Sequence, residues 1–349
     1  MKECSTVSFK GQVIFAGIDV HKNNWNVNLR HCFRELDKFS MNPSPDELAA
    51  HLKRSYPEAE YRSVYEAGFS VFEPHRRLCA LGIKNIVINP ADVPTSGKER
   101  AYKSDRVDSK KLARELESGS LDPIYVPPPE NLVLRNLIRR ETQIVSNIVR
   151  VKNRIKSHFF FSGLNFSGWS GRSLKMMESD AVQRFDDALR SKFRELHYLR
   201  LEKLQIVRDE KSCLLRLKRN ELQTYLQSIP GIGFRTALIL QAELWEMNRF
   251  ATRDALSSYV GLAPHLVGSG EHEEVRSSGD RKKKELHYIL IEAAWRAVTF
   301  DMEQRARYGA LLHKGWNTQR AISVVAKKLL YAIHAVWTQQ RLYRKAQME

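Results

Sequence analysis

Four carboxylates in the first third of the chain lie where they could bind a metal ion. Asp19 ends a buried-strand pattern, Glu66 ends a second one, and Asp105 and Asp108 open a helical pattern. A spacing of three places the last two on one helical face. Mg²⁺ prefers such hard oxygen ligands and keeps open positions for phosphate oxygens. The pattern therefore predicts one or two Mg²⁺ ions acting on a phosphodiester, although each residue alone is more typical of a turn or a helix start.

The elements that must position these carboxylates alternate between strand and helix patterns. Apolar or alternating segments predict strands over 12–20, 24–30, 61–65 and 84–89, with the first two forming a hairpin. Helical spacing predicts helices over 45–56, 71–81 and 105–117. This order predicts an α/β domain with a mixed sheet. His21 could support Asp19, but a histidine at a strand end is more typical of polar surface.

Pro127-Pro128-Pro129 is the clearest interruption in the chain and predicts a domain boundary. The resulting division is 1–127, 128–227 and 228–349. In the middle segment, long helices over 131–158 and 180–227 flank a break rich in Gly, Ser and Phe, which predicts an antiparallel hairpin or coiled coil. The last segment is mostly helical around a polar loop at 261–283, with helices over 237–244, 254–260, 284–299 and 319–344.

The charge of the chain points to a polyanionic partner. The 349 residues include 57 Lys and Arg against 40 Asp and Glu, a net charge of +17. Residues 131–220 hold 20 Lys and Arg against 9 Asp and Glu. A solvated helix face is one explanation, but the excess of one sign favours contact with nucleic acid. The candidate contacts in this segment are Arg150, Lys152, Arg154 and Lys156.

Two features of the C-terminal third could also contact phosphates. The turn at 228–233 contains Gly231 and Gly233, whose backbone N–H groups could bind a phosphate, although a Pro-Gly turn between helices is common. A basic run follows at 281–284, and it is typical either of a phosphate-contacting loop or of a solvated one. The candidate residues of this run are Arg276, Arg281, Lys282, Lys283 and Lys284.

Ser269 is the remaining residue with possible chemistry. It lies between Gly268 and Gly270, where its hydroxyl is unhindered. From the residues alone, a flexible linker is the favoured interpretation. Ser277 and Ser278 are its nearest competitors as a nucleophile.

Several functional classes do not fit the sequence. Cys4, Cys32, Cys79 and Cys213 form no close pair, which excludes a zinc ribbon and predicts reduced thiols in a cytosol. No apolar run is expected to approach the ~18 residues of a membrane span. No phosphate-binding loop of the Walker type and no dinucleotide fingerprint occurs, so no nucleotide cofactor is expected. We therefore expect a cytoplasmic protein without a membrane partner.

The order of the carboxylates resembles the RuvC/RNase H type of nuclease domain in its DEDD form. More specifically, the motifs Gly17-Ile18-Asp19-Val20-His21-Lys22, Tyr65-Glu66-Ala67-Gly68, Asn89-Pro90-Ala91-Asp92-Val93-Pro94 and Lys103-Ser104-Asp105-Arg106-Val107-Asp108 resemble the transposases of the IS-one-ten insertion-sequence family, relatives of the Piv DNA invertase. The resemblance covers essentially the whole chain. Ser104 and Ser109 depart from the family pattern, but neither departure removes a metal ligand.

This resemblance implies a mechanism that the residues alone do not. It implies a RuvC-like domain with Mg²⁺ on Asp19, Glu66, Asp105 and Asp108, and it makes Ser269 the nucleophile that forms a 5′-phosphoserine and frees a 3′-hydroxyl. It further implies double-stranded donor and target DNA, a structured guide RNA called the bridge RNA, and a homo-oligomer in the bacterial cytoplasm near the nucleoid.

Two other functions stay open at this point. A metal-dependent junction resolvase would cut DNA with water and leave no covalent protein–DNA adduct. A protein that binds DNA or RNA without chemistry would show no cleavage that EDTA abolishes.

Overall fold

The computed structural model describes residues 9–68, 72–93, 105–183, 186–263, 265–267, 274–276 and 283–344. The chain divides into two compact units, Met1–Val126 and Pro127–Glu349. The first unit is mixed α/β and the second is mostly helical, as expected from the sequence patterns. The finer division into three domains stays a prediction.

The first unit is built on a five-stranded mixed sheet with the order β3-β2-β1-β4-β5. β1 pairs antiparallel with β2 and parallel with β4, β2 pairs antiparallel with β3, and β4 pairs parallel with β5. The strands are β1 Val13–Val20, β2 Trp25–His31, β3 Arg34–Met41, β4 Glu60–Glu66 and β5 Lys84–Ile88. The helices are α1 Pro45–Ser55, α2 Glu73–Ala80 and α3 Asp105–Ser118.

Helices cover both faces of this sheet. On one face, the alternating apolar residues of β1 and β2 pack with Leu48 and Leu52 of α1 and Leu78 of α2. On the other face, Val64 of β4 and Ile88 of β5 pack with Leu112 of α3. Because alternate residues of a strand point to opposite faces, burial on both sides explains why β1 and β5 read as continuous apolar runs.

β3 is a strand that the sequence patterns do not predict. Its residues are RELDKFSM, and most of their side chains are exposed. β3 lies at the edge of the sheet and pairs only with β2 among the described strands. A polar edge strand carries no alternating apolar signal, because it buries little of either face.

The second unit contains nine helices within its described residues and a pair of short antiparallel strands. Its strands are β6 His265–Val267 and β7 Glu274–Arg276. Its helices are α4 Pro129–Phe161, α5 Gly171–Gln183, α6 Asp187–Arg216, α7 Asn220–Gln227, α8 Phe234–Leu244, α9 Arg253–Val260, α10 Lys284–Phe300, α11 Met302–His313 and α12 Thr318–Gln339.

The predicted helix over 180–227 is wrong as a single element. Asp186 accepts a hydrogen bond from the Leu189 amide and starts α6 as its N-cap. Lys218 has a left-handed backbone with φ of +54°, and it separates α6 from α7. The apolar spacing continues across both interruptions, so periodicity alone does not reveal them. α5 and α11 are likewise additional helices that the patterns do not predict.

α4 and α6 pack against each other and form a helical hairpin. Ile144, Val151 and Ile155 of α4 pack in one cluster with Leu196 and Leu199 of α6. Cross-pairs show that the two helices are antiparallel, because Arg154 pairs with Glu195 and the earlier Arg140 pairs with the later Glu202. A true coiled coil, with its supercoil, stays a prediction.

α12 is the central helix of the C-terminal bundle. Its apolar residues, including Val325, Leu329 and Ile333, are buried. By length and composition alone, α12 is long and apolar enough to cross a membrane, and half of that stretch is buried inside the protein. It is therefore an exception to the expectation that no apolar run approaches a membrane span.

Candidate active site

Two of the predicted site carboxylates end neighbouring parallel strands. Ile18 of β1 lies opposite Tyr65 of β4 in the parallel register, and the next residues along the two strands are Asp19 and Glu66. Both side chains are half-buried. Because parallel strands end at the same edge of a sheet, the structure brings Asp19 and Glu66 to one edge.

The two carboxylates also share one face of the sheet. Asp19 has the same parity along β1 as Gly17, and Glu66 has the same parity along β4 as Val64. α3 lies over Gly17 so closely that a Cβ there would collide with the carbonyl oxygen of Ser109. Val64 packs with Leu112 of the same helix. Asp19 and Glu66 therefore lie on the face that α3 covers.

The direction of α3 brings its first turn to the same edge. Near the end of α3, the Glu117 carboxylate accepts a hydrogen bond of 2.8 Å from Arg30 Nε, and both side chains are nearly buried. Arg30 lies opposite Phe15, towards the amino end of β1. α3 therefore begins over the carboxyl ends of the strands and runs towards their amino ends.

Asp108 lies in this first turn, one helical turn before Leu112, and is half-buried. Asp105 is the first residue of α3, and its side chain is outside the described part of the structure. The partial positive charge at a helix N-terminus favours carboxylates there. Three described candidates thus lie on one face and towards one edge of the sheet, and the fourth begins the helix that covers it.

His21 contacts Asp19, as one of its two sequence-based interpretations allows. Its Nε2 lies 2.9 Å from Oδ2 of Asp19. A histidine that contacts a carboxylate holds it in one orientation, which is the usual arrangement beside a metal ligand. The sequence signal is the close spacing of the two residues at the strand end, but the spacing alone does not show that they touch.

The donor set suits a hard divalent cation, because carboxylate oxygens are its preferred ligands. Within the described residues, no three His, Cys, Asp or Glu side chains lie close enough to form a ready-made metal cluster. The predicted four-carboxylate site also includes Asp105, whose side chain is not described, so the site stays a prediction. The matching DEDD-type domain, reported below, suggests dependence on a divalent metal.

The predicted nucleophile Ser269 lies outside the described residues, as do Ser277, Ser278, Arg281 and Lys282. In sequence, Ser269 falls between β6 and β7. Arg276 ends β7, and its side chain is not described. Lys283 and Lys284 are exposed where α10 begins. The structure therefore leaves the roles of the serine and the basic run as predictions.

The two glycines of the turn before α8 have different surroundings. Gly231 has a φ of +88°, and a Cβ there would collide with the carbonyl oxygen of Ala293 in α10. Close packing and a left-handed backbone thus explain why position 231 is a glycine, and no contact with nucleic acid is needed for that explanation. Gly233 is the N-cap of α8 and opens onto a groove that Arg235 and Arg296 line. A phosphate contact at either glycine stays a prediction.

The basic candidates of the helical hairpin fall on two faces of α4. Arg150 and Arg154 are one turn apart, and so are Lys152 and Lys156. Arg154 pairs with Glu195 at 3.2 Å, whereas Lys152 and Lys156 lie over aromatic rings. Arg150, Arg154 and Lys156 are exposed, as a phosphate contact requires.

Comparison with known proteins finds two family models that match this chain. Residues 16–161 match a DEDD-type family model described as a transposase, and residues 223–309 match a model described as the transposase IS116/IS110/IS902 family. The first match includes all four candidate carboxylates. The second includes Ser269, Gly231 and Gly233 and the whole basic run.

Individual relatives agree with these matches. The chain is 25% identical over 281 residues to the transposase for insertion sequence element IS1111A of Coxiella burnetii, covering 77% of this chain and 76% of the relative. It is 24% identical over 271 residues to the pilin gene-inverting protein of Moraxella bovis, covering 74% of each. It is 28% identical over 257 residues to "Putative transposase y4rJ" of Sinorhizobium fredii, covering 66% of this chain but only 64% of that protein's length. Two family models in the expected order, together with these relatives, show that the chain belongs to the IS110 family of transposases.

Proposed function

We propose that this protein is a transposase that cuts and rejoins DNA strands at the ends of an insertion sequence. The observation that carries the proposal is the convergence of Asp19, Glu66 and the first turn of α3 on one edge of the sheet. The names of its relatives, which include an insertion-sequence transposase and a gene-inverting protein, support the same reaction class.

Asp19, Glu66, Asp105 and Asp108 would hold one or two Mg²⁺ ions. Bound there, Mg²⁺ supplies Lewis-acid stabilisation of negative charge on the phosphate oxygens. The residues of the chain have other tasks. His21 orients Asp19, and the packing of α3 over Gly17 holds Asp108 at the site.

Ser269 is the proposed nucleophile. Its oxygen forms a bond to phosphorus, and the bond from phosphorus to the 3′-oxygen breaks. The serine hydroxyl loses its proton, and the leaving 3′-oxygen gains one. The products are a 5′-phosphoserine and a free 3′-hydroxyl. Support comes from its sequence position between two glycines and from the family model that spans it.

The proposed partners are double-stranded donor and target DNA, a structured guide RNA and further copies of this chain. The net charge of +17 supports a polyanionic partner. The proposed phosphate contacts lie on the hairpin at Arg150, Lys152, Arg154 and Lys156, and in the C-terminal third at Gly231, Gly233, Arg276, Arg281, Lys282, Lys283 and Lys284. We place this assembly in the bacterial cytoplasm.

A pair of variants in one strand tests the metal site. Glu66→Gln at the end of β4 should lower Mg²⁺-dependent strand cleavage about a hundredfold or more, because it removes a ligand charge. Glu60→Gln at the start of β4 is the matched control, since Glu60 only pairs with Arg62 and Lys84. Binding of DNA by both variants should stay within about twofold of the original protein. Equal cleavage by the two variants would refute the carboxylate site.

The same assay separates the proposed reaction from hydrolysis. A serine nucleophile leaves DNA attached to the protein on a denaturing gel, whereas a junction-type nuclease using water leaves none. Cleavage without any trapped adduct would favour the nuclease, and DNA binding without EDTA-sensitive cleavage would favour a binding protein.

A further inference from the structure

The end of the helical hairpin carries an unusual group of aromatic side chains. α4 ends in Phe159-Phe160-Phe161, and the following loop adds Phe166 and Trp169. Phe159 is buried, whereas Phe160 is 62% exposed and Phe161 is 93% exposed. We call Phe160, Phe161, Phe166 and Trp169, together with Lys152 and Lys156, the aromatic tip.

Three rings of the aromatic tip, those of Phe160, Phe166 and Trp169, lie near one another and near its lysines. The Phe166 ring centroid is 6.4 Å from that of Phe160 and 5.1 Å from that of Trp169. Lys156 Nζ lies 5.5 Å from the Phe160 ring centroid and 5.8 Å from that of Phe166. Lys152 Nζ lies 5.1 Å from the Trp169 ring centroid. The exposed Phe160 ring therefore has a positive charge directly beside it.

These two lysines differ from the other cations of the same region. Arg154 of the same helix pairs with Glu195 at 3.2 Å. In the described residues, neither Lys152 nor Lys156 reaches a carboxylate, and both contact aromatic rings instead. Their charges are thus available to an anion without loss of an ion pair, whereas Arg154 would first have to leave Glu195.

We propose that the aromatic tip binds unpaired nucleotides, with bases stacked on Phe160 and Phe161 and phosphates held by Lys152 and Lys156. Sites for single-stranded nucleic acid combine these two features, because every base has an aromatic face and every nucleotide carries a phosphate. A duplex offers phosphates, but its bases are already stacked. The tip therefore distinguishes looped or melted strands from paired ones.

The combination of groups favours this occupant over a protein or a second copy. The cores of protein–protein interfaces are depleted in lysine, whereas here two lysines lie against the rings. The proposal rests on the proposed nucleic-acid partner but not on the cleavage mechanism. A protein without metal or serine activity would still bind single strands here.

Equilibrium binding of a fluorescent oligothymidylate and of a duplex of equal length to the full chain tests the proposal. Phe160→Ala with Phe161→Ala should weaken binding of the single strand by roughly ten- to hundredfold and change duplex binding by less than about threefold. Tyr198→Ala is the matched control, because Tyr198 lies on α6 of the same hairpin and is also 62% exposed. The control should bind both probes normally.

Two further variants separate stacking from other roles. Phe160→Leu keeps apolar surface but has no aromatic face, so it should weaken single-strand binding, whereas Phe160→Trp should preserve it. Lys152→Gln with Lys156→Gln should reduce the salt dependence of single-strand binding by about 1.4 in the slope of log affinity against log salt. The phenylalanine variants should leave that slope unchanged.

Cross-linking tests directly whether a base lies against Phe160 and Phe161. Irradiation of the complex with a 5-iodouracil oligonucleotide should attach the base to the peptide that contains Phe160 and Phe161. Asp19→Asn, which affects only the proposed metal site, should cross-link normally, so failure of the catalytic proposal is separable from failure of this one. Equal losses for single strand and duplex, full binding by Phe160→Leu, or a change of oligomeric state in the phenylalanine variants would overturn the proposal.

Discussion

Ser269 needs activation from outside its own sequence neighbourhood. A serine hydroxyl is a weak nucleophile until a base or a metal activates it. The adjacent residues offer only Glu271 as a base, and it is too near in the chain to aim well at the hydroxyl. In the proposed reaction a bound metal ion would be the other source of activation, and the glycines beside Ser269 would permit close approach to DNA.

Substitution of this serine gives the sharpest prediction at the residue scale. Ser269→Ala should leave folding and nucleic-acid binding intact but abolish strand exchange and the covalent adduct. Ser277→Ala and Ser278→Ala should retain most activity. A denaturing gel, followed by mapping of the modified peptide, measures this. An adduct on another residue would show that Ser269 is not the nucleophile.

Glu210 of α6 is a second residue with a distinct chemical signature. Its side chain is buried, and Oε1 has no hydrogen-bond partner among the described residues. Burial raises the pKa of Glu210 from 4.5 to about 7, with Lys203 opposing the shift. Because the folded state binds this proton more tightly than the unfolded state, Glu210 lowers the free energy of unfolding as pH rises from about 4.5 through 7.

Glu210→Gln should therefore stabilise the protein by about 3 kcal/mol at pH 8 and by less than about 1 kcal/mol at pH 5. The midpoint of thermal unfolding at the two pH values measures this. Glu195→Gln, on the exposed side of the same helix, is the control and should show no such pH dependence. Equal stabilisation of Glu210→Gln at both pH values would contradict the assignment.

At the scale of elements, α3 is the part that completes the candidate site. Its approach to β1 depends on Gly17, where any side chain would meet the backbone of Ser109 and Ala113. Its far end is anchored by the nearly buried pair of Glu117 and Arg30. The position of Asp108 is thus set by contacts along the whole helix.

Gly17→Ala should displace α3 and lower the stability of the first unit by about 2–5 kcal/mol, because the collision involves backbone atoms that cannot rotate away. Hydrogen exchange of the α3 amides should accelerate, and metal-dependent cleavage should fall with it. Gly68→Ala is the control for stability, since among the described residues a Cβ there meets only the Glu66 carbonyl oxygen, at 3.9 Å. Unchanged exchange in Gly17→Ala would show that α3 does not depend on this contact.

At the scale of the whole molecule, charge is distributed unevenly along the chain. Residues 131–220 contribute +11 of the net +17, and this segment includes the helical hairpin of α4 and α6. Nucleic acid that binds there displaces counterions, so its affinity should fall steeply with salt.

Reversal of Arg150, Lys152, Arg154 and Lys156 to Glu should weaken binding of duplex DNA and reduce the salt slope by about three to four. The fold should survive, because these side chains are exposed or half-buried on α4. Fluorescence anisotropy across a salt series measures the slope, and circular dichroism checks the helices.

The guide-RNA proposal has a separate test. Protein that is free of RNA but still recombines specific sites would refute it.

The fold class and most of the first unit follow from local sequence patterns. β1, β4, β5, α1 and the two long helices at 129–161 and 187–216 all bury a regular apolar face, so their periodicity is visible in the sequence. The carboxylates Asp19 and Glu66 were identifiable because each follows such a strand. β3 was not predicted from the sequence, because an exposed edge strand has no apolar face to detect.

The tertiary structure alone decided which distant residues meet. The contact of His21 with Asp19, the packing of α3 on Gly17 and the edge-to-face contacts of Phe166 with Phe160 and Trp169 all depend on the folded arrangement of the chain. Periodicity shows which face of an element is buried, but it does not show which other element that face packs against. For this chain, local burial therefore determined the elements and the candidate residues, whereas close packing between elements decided the geometry of the site and of the aromatic tip.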